Sequence, residues 1–329
     1  MSEIGKNSAP DKVTMLTVDE GGAGQRLDNF LAKQLKGVPK SHIYRIVRSG
    51  EVRVNSKRVE AAYKLQLGDV LRIPPVRTAA PAIKPSAAAE HNQFVHAQFL
   101  DAILYEDEAM VAINKPSGMA VHGGSGISRG VIEQLRMERP QAKYLELVHR
   151  LDRETSGVLL IGKKRSALVK LHQMLRENQV HKRYVMLVKG AWHNQKQRVV
   201  LPLKKVVQDN GEKRVWVEEG GQISETIFHL REFLGEFTLL EADLITGRTH
   251  QLRVQLAHLG FPIVGDDKYG DFTLNKTLQK RGLKRMFLHS AETVLNHPLI
   301  GEALKLVAPL PKELEKFLNT LRTEHAETV

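Results

Sequence analysis

The stretch Thr78-Ala79-Ala80-Pro81-Ala82-Ile83-Lys84-Pro85-Ser86-Ala87-Ala88-Ala89 constrains the fold most. It is rich in Ala and Pro and has no periodic apolar stripe, so it offers no face to a core. We read residues 78–98 as a semi-extended linker at which the chain divides. Residues 1–20 then form a polar, flexible tail, residues 21–77 a small module and residues 99–329 a larger domain. A chain of 329 residues suits two domains better than one.

The small module is strongly basic. Between Gly24 and Arg77 stand 12 Lys/Arg against 4 Asp/Glu, in a chain whose whole excess is +12. Charge concentrated in this way marks a polyanion-binding face better than a high overall pI does. Nucleic acid and an acidic membrane surface are the two such partners. No stretch approaches the roughly 20 apolar residues that span a bilayer, and Met1 to Asp11 carry no apolar signal core. A cytoplasmic protein is expected. The chain has no cysteine, which excludes disulfides, thiolate metal sites and Cys nucleophiles.

Within the module, Leu27, Phe30, Leu31 and Leu35 recur at helical spacing, ended by Gly37 and Pro39. Ser41 is read as the N-cap of a second helix with Ile43, Ile46 and Val47 as its buried stripe and Gly50 as its stop. Lys40, Arg45 and Arg48 share the opposite face. Glu51–Asn55, a turn at Asn55-Ser56 and Val70–Ile73 are strand signals. Arg26-Leu27-Asp28, two helices and Gly50-Glu51-Val52-Arg53-Val54-Asn55 together resemble the S4 RNA-binding domain. That resemblance implies that Lys40, Arg45 and Arg48 meet RNA phosphates, with Arg26, Arg53 and Lys57 beside them. Such contacts give affinity and orientation without sequence information. A merely solvated basic face is the bland alternative.

The larger domain reads as strand-rich. Ile103–Tyr105, Met110–Ile113, Val158–Ile161, Tyr184–Val188, Glu225–Leu230 and Phe237–Leu244 are strand candidates. Two helices stand out, one capped by Ser166 with Leu168, Leu171 and Leu175 on a face, the other opened by Thr249 with Leu252, Leu256 and Leu259. Irregularly spaced strands with few helices predict an α+β fold with a mostly antiparallel mixed sheet.

The segment His149-Arg150-Leu151-Asp152-Arg153-Glu154-Thr155-Ser156-Gly157 places one carboxylate between two arginines. By itself Asp152 can be a nucleophile, a base or half of a salt bridge. Four further segments decide in favour of chemistry. They are Asn114-Lys115-Pro116-Ser117-Gly118-Met119, Lys182-Arg183-Tyr184, Thr246-Gly247-Arg248-Thr249-His250-Gln251-Leu252-Arg253-Val254, and Phe287-Leu288-His289. In this order they resemble the motifs of the RluA-type RNA pseudouridine synthases, and the S4-plus-catalytic arrangement is familial too.

The resemblance implies that Asp152 attacks the target uridine or its sugar. It implies that Tyr184 packs on the base and handles the proton lost from C5. Arg253 would pair with Asp152, Leu288 would form apolar wall, and Arg150 would fill the space left by the flipped nucleotide. No cofactor and no metal are called for, because the isomerisation has no redox change and no group donor. A hydrolase would want two carboxylates and an admitted water, and Asp152 has no acidic partner in its motif. His149, His250 and His289 lack metal-ligand spacing. Gly123-Gly124-Ser125-Gly126 lacks the Lys-Ser/Thr of a phosphate loop and is read as an active-site loop. Gln255 departs from the His of many relatives.

Within the family, the chain is most similar to synthases of large-subunit (23S) ribosomal RNA, which implies that RNA as partner; a monomer is expected. The alternatives are a sister synthase acting on other rRNA or tRNA uridines, and a non-catalytic S4-type ribosome-assembly factor. A methyltransferase is disfavoured because no glycine-rich cofactor loop follows a strand.

Overall fold

The computed structural model describes residues 13–35, 37–76, 99–123, 129–207 and 213–327. The chain divides into two compact units, Met1–His96 and Ala97–Val329. The expected linker, 78–98, lies outside the described residues, as do residues 1–12 and most of the glycine loop at 123–126.

The first unit contains β1 (Thr14–Thr17), α1 (Leu27–Gln34), α2 (Lys40–Arg48), β2 (Arg53–Val54) and β3 (Val70–Ile73). Its sheet runs β1-β3-β2, with both pairings antiparallel. β1 corrects the expected tail over 1–20. Thr14–Thr17 pairs with Val70–Ile73, and Val18 is buried beside Phe30 and Leu71. The second helix begins two residues earlier than expected: its N-cap is Pro39, and Ser41 lies inside it without capping. Gly50 follows the C-cap at φ +76°, the left-handed stop that glycine adopts at least cost. Asn55 and Ser56 both take positive φ, which makes the tight hairpin turn between Val54 and Lys57.

The second unit is built on an 11-stranded sheet. Its strands are β4 (Ile103–Glu106), β5 (Met110–Lys115), β6 (Glu146–Leu147), β7 (Ser156–Gly162), β8 (His181–Lys189), β9 (Lys196–Val207), β10 (Lys213–Val217), β11 (Gln222–Leu234), β12 (Phe237–Leu244), β13 (Leu288–Asn296) and β14 (Ala303–Val307). Its helices are α3 (Val131–Glu138), α4 (Arg165–Arg176), α5 (Gln251–His258), α6 (Phe272–Lys280) and α7 (Lys312–Ala326). The main path is β10-β9-β11-β12-β8-β13-β7-β5-β4, with β14 on β13 and β6 on β7. Every pairing is antiparallel except β13 with β7. The α+β, mostly antiparallel expectation holds. Ser166 is a second misplaced cap, since α4 starts at Arg165 after an N-cap at Lys164.

The central strands read as continuous apolar runs because both sheet faces are covered. Val111, Ile113, Leu159 and Ile161 pack with α3 and α5 residues such as Leu135, Leu252 and Leu256. Met110, Ala112, Val158 and Leu160 face the other way onto Leu168, Leu171 and Met174 of α4. α7 adds Leu314, Phe317, Leu318 and Leu321 to Leu187 and Phe237 on that second side. Each such fully buried side chain contributes about 1.5–3 kcal/mol.

The β7–β13 contact positions the site. It brings His289 opposite Ser156 and Ser290 opposite Gly157. Gly157 sits at φ +108°, and a Cβ there would stand 2.1 Å from the Ser290 carbonyl oxygen. Only glycine permits that approach.

Candidate active site

Four strands and one helix converge on the end of this contact. β7 begins just after the Asp152–Thr155 turn, which is closed by Thr155 N–H donating to the Asp152 carbonyl. β13 begins at Leu288, whose neighbour in the sheet is Met186 of β8. Tyr184 is opposite Ser290 on the same pair of strands. β12 runs through Leu244 into the 245–250 loop and then α5, which delivers Arg253. His250 turns the chain into α5 in a left-handed conformation at φ +54°.

These elements enclose a cavity of about 300 Å³. Asp152, Tyr184, Arg253 and Leu288 all line it, as does Arg150. All five catalytic-domain residues singled out in the sequence therefore meet in one place. Tyr184 and Leu288 are buried and Arg150 is exposed.

Arg253 is the electrostatic centre. Its Nη1 donates to Asp152 Oδ2 at 3.0 Å. Its Nε and Nη2 donate as a fork to Asp266 Oδ2 and Oδ1 at 2.7 and 2.8 Å, and Nη2 reaches Asp267 Oδ1 at 3.5 Å. Its guanidinium also stacks on the Tyr269 ring, 5.2 Å from the centroid. The Arg253 side chain is 7% exposed, against 27% for Asp152 and 1% for Asp266. Burial by itself would favour losing the Arg253 proton, but the Asp266 bonds and charge outweigh it and hold the guanidinium well above its ordinary value. Burial likewise opposes the Asp266 charge. Arg253 and the N–H groups of Tyr269 and Lys268 reverse that and lower its pKa.

Asp266 was not recognised in the sequence as a functional residue. The signal was weak, an acid 13 positions beyond a buried arginine in a loop of mixed charge. Its role is to hold Arg253 so that one N–H remains aimed at Asp152.

Burial pushes the Tyr184 phenol up to about 12, and the Asp152 charge adds to that. Tyr184 is therefore a neutral phenol at physiological pH. Burial lowers the His250 pKa against the opposing pull of Asp152, whose Oδ1 is 3.9 Å from Nε2. His250 Nδ1 is 2.8 Å from the Tyr269 hydroxyl, which also accepts Val215 N–H. The other two histidines are spent on structure. His149 Nε2 accepts Leu160 N–H. His289 Nδ1 faces Ser156 Oγ at 2.8 Å and its Nε2 the Ala308 carbonyl at 3.0 Å. Burial brings both down to about 4, so both are neutral. Among the described residues no group of three or more His, Asp or Glu could hold a metal ion.

A scaffold lies beneath the Asp152 turn. Lys115 is fully buried and its Nζ donates to the carbonyls of Pro116, Met119 and Arg153. Ser117 Oγ donates to the Glu154 carbonyl. Arg285 Nη2 donates to Ser156 Oγ and to the Glu154 and Leu288 carbonyls. The Asn114–Met119 motif is thus structural, as its turn chemistry suggests. Gln255 points away from the cavity: its Oε1 accepts Thr226 Oγ and its Nε2 donates to Ser224 Oγ.

In the first unit, Lys40, Arg45, Arg48, Arg53 and Lys57 are all exposed. Arg26 is half-exposed and forked onto Asp28, which also accepts from Tyr44 Oη. A second basic feature was not read from the sequence. It is a cleft of about 560 Å³ lined by Arg53, Arg58 and Arg72.

Known proteins place this arrangement. The RNA pseudouridylate synthase family profile matches residues 109–258, and the S4 domain profile residues 25–71. The ribosomal large subunit pseudouridine synthase C of Salmonella typhi is 51% identical over 315 residues, 95% of this chain and 97% of that protein. The proteins of the same name from Pasteurella multocida and Escherichia coli K12 are 50% and 51% identical over 95% and 94% of this chain. Among solved structures, human RNA pseudouridylate synthase domain containing 4 superposes with a TM-score of 0.56 at 27% identity, over 68% of this chain and 94% of that one. Asp152 and Arg253 both fall within the stretch that the family profile matches, and the chain belongs to the RNA pseudouridylate synthase family, with an S4 domain ahead of its catalytic domain.

Proposed function

We propose that the protein converts specific uridines of 23S ribosomal RNA to pseudouridine. The observation that carries this reading is the Asp152 carboxylate held at 3.0 Å by Arg253 in a cavity walled by Tyr184 and Leu288, in a chain half identical to large-subunit synthases over nearly its whole length.

The target nucleotide leaves its stack and enters the cavity, and Arg150 at the rim fills the gap. Asp152 attacks C1′ of the ribose or C6 of the base as the nucleophile, and the bond it forms is broken again once C5 has joined C1′. The N1–C1′ bond breaks, the uracil turns within the closed site, and C5 bonds to C1′. C5 loses a proton and N1 gains one, so the reaction is a pure isomerisation. Tyr184 packs on the base. Because its phenol ionises only near 12, it takes the C5 proton only as it gives up its own, which balances the proton that N1 gains. No cofactor or metal takes part. The protein works as a monomer in the cytoplasm; among the described residues no helix is long and apolar enough to cross a membrane. Lys40, Arg45 and Arg48, with Arg26, Arg53 and Lys57, hold RNA through its phosphates.

The test follows from the C5 step. Incubating the purified protein with 23S rRNA carrying tritium at uridine C5 should release tritium to water, and Asp152→Asn should release none. Equal release by both proteins would overturn the reading.

A further inference from the structure

One cation of the cavity has no task in the chemistry above. Lys182 lies on β8 two residues before Tyr184, so both side chains leave the same face of the sheet. Both line the cavity. Arg253 has its donors committed to three carboxylates. Lys182 has no hydrogen bond or ion pair among the described residues. Its side chain is half-buried, and that partial loss of water lowers its pKa. A desolvated ammonium without a counter-ion raises the free energy of the resting protein. Such a cost persists where a ligand brings the missing charge.

The position says which part of the ligand that is. A Cβ built on Gly247 would stand 3.8 Å from Lys182 Nζ. Gly247, Arg248 and Thr249 form an exposed loop at the rim. Lys182 thus reaches the rim loop of the cavity, while Arg253, Tyr184 and Leu288 are its buried lining. Of the other rim cations, Arg248 Nε is committed to the Ile223 carbonyl and Arg150 is in solvent. A uracil ring is uncharged. The anion that a uridine carries into such a mouth is its backbone phosphate.

We infer that Lys182 grips a backbone phosphate of the flipped uridine and so fixes the depth at which the base meets Asp152. It is a positioning residue. The inference rests on the cavity taking a uridine of an RNA chain.

The experiment uses the full chain and a 23S rRNA fragment, with the target uridine unmodified or flanked on its 5′ or 3′ side by one neutral methylphosphonate. Wild type, Lys182→Met and Lys182→Arg are compared. Lys182→Met should raise KM on the order of 10- to 100-fold, the worth of a charge-assisted hydrogen bond, with kcat within about threefold by the same uniform-binding logic. Lys182→Arg should recover most of that loss. Wild type should suffer a similar KM rise with the methylphosphonate on one side, and Lys182→Met should suffer no further rise there. The urea midpoint of Lys182→Met should equal or exceed that of wild type, because an unpaired, half-buried charge has gone.

A Lys182→Met protein that still loses as much as wild type from both methylphosphonates would overturn the inference. So would a loss confined to kcat, or a lowered urea midpoint that accounts for the lost activity. No product from wild type on the unmodified fragment would instead overturn the functional reading beneath it.

Discussion

Asp266→Asn should separate the stability of the site from its chemistry. The substitution keeps the size of the side chain and an oxygen to accept the N–H groups of Lys268 and Tyr269. It removes the charge opposite a guanidinium that is 7% exposed. Leaving a buried charge wholly unpaired costs about 3–5 kcal/mol. Arg253 keeps Asp152 at 3.0 Å, so the lower end, about 3 kcal/mol, is expected. With a urea m-value of about 3 kcal/mol/M the midpoint falls by about 1 M. Arg253 would also turn toward Asp152, and a displacement of about 1 Å at the reacting groups costs about 100-fold in rate. Asp152→Asn should do the reverse. Its carboxylate is 27% exposed and Arg253 keeps its fork to Asp266, so stability changes by less than about 1 kcal/mol while single-turnover activity disappears. Urea unfolding and single-turnover kinetics of both variants provide the assay. An Asp266→Asn midpoint within about 0.2 M of wild type, or an Asp152→Asn protein that is the less stable of the two, would refute the assignment of Asp266 as the charge that holds Arg253.

Two further predictions concern pH and salt. His289 is fully buried with a folded pKa of about 4, against about 6.5 when unfolded, so the unfolded state takes up its proton first. The neutral imidazole's contribution is therefore complete above pH 6.5 and is lost as pH falls toward 4, by about 3 kcal/mol. Urea midpoints of wild type minus His289→Gln, measured from pH 7 to 4.5, should shrink over that window, and a constant difference would count against it. Replacing Lys40, Arg45 and Arg48 together by Gln, all exposed on α2, should lower the slope of log K against log salt for RNA binding by about 2–3, at 0.7–0.9 for each phosphate contact. An unchanged slope would remove these residues from the RNA interface.

How far the sequence foretold the structure depended on what each segment buries. β5, β7, β8 and β12 were legible because their residues are apolar on both faces. β9 was not: Lys196, Arg198, Lys204 and Lys205 interrupt it, since much of it is exposed beside the edge strand β10. β13 carries Ser290, Glu292 and Thr293 among its pairing residues, so it resembles a loop although Ser290 and Thr293 are buried. β1 lay hidden in a polar terminus because its pairing with β3 is a long-range property. Ser41 and Ser166 looked like caps by residue type, but backbone geometry starts each helix two residues sooner. In the site, Asp152, Tyr184, Arg253 and Leu288 were found by motif order. Hydropathy alone would have put Arg253 on the surface. It is buried because Asp266 neutralises it, and such a partnership between a helix and a later loop is visible only in three dimensions.

The central claim is tested most directly by chemical mapping of pseudouridine in 23S rRNA from a strain lacking this gene, complemented with wild type or with Asp152→Asn. Specific large-subunit sites should be lost in the deletion strain, return with wild type and stay absent with Asp152→Asn. Restoration by both proteins, or a full set of large-subunit pseudouridines in the deletion strain, would contradict the account.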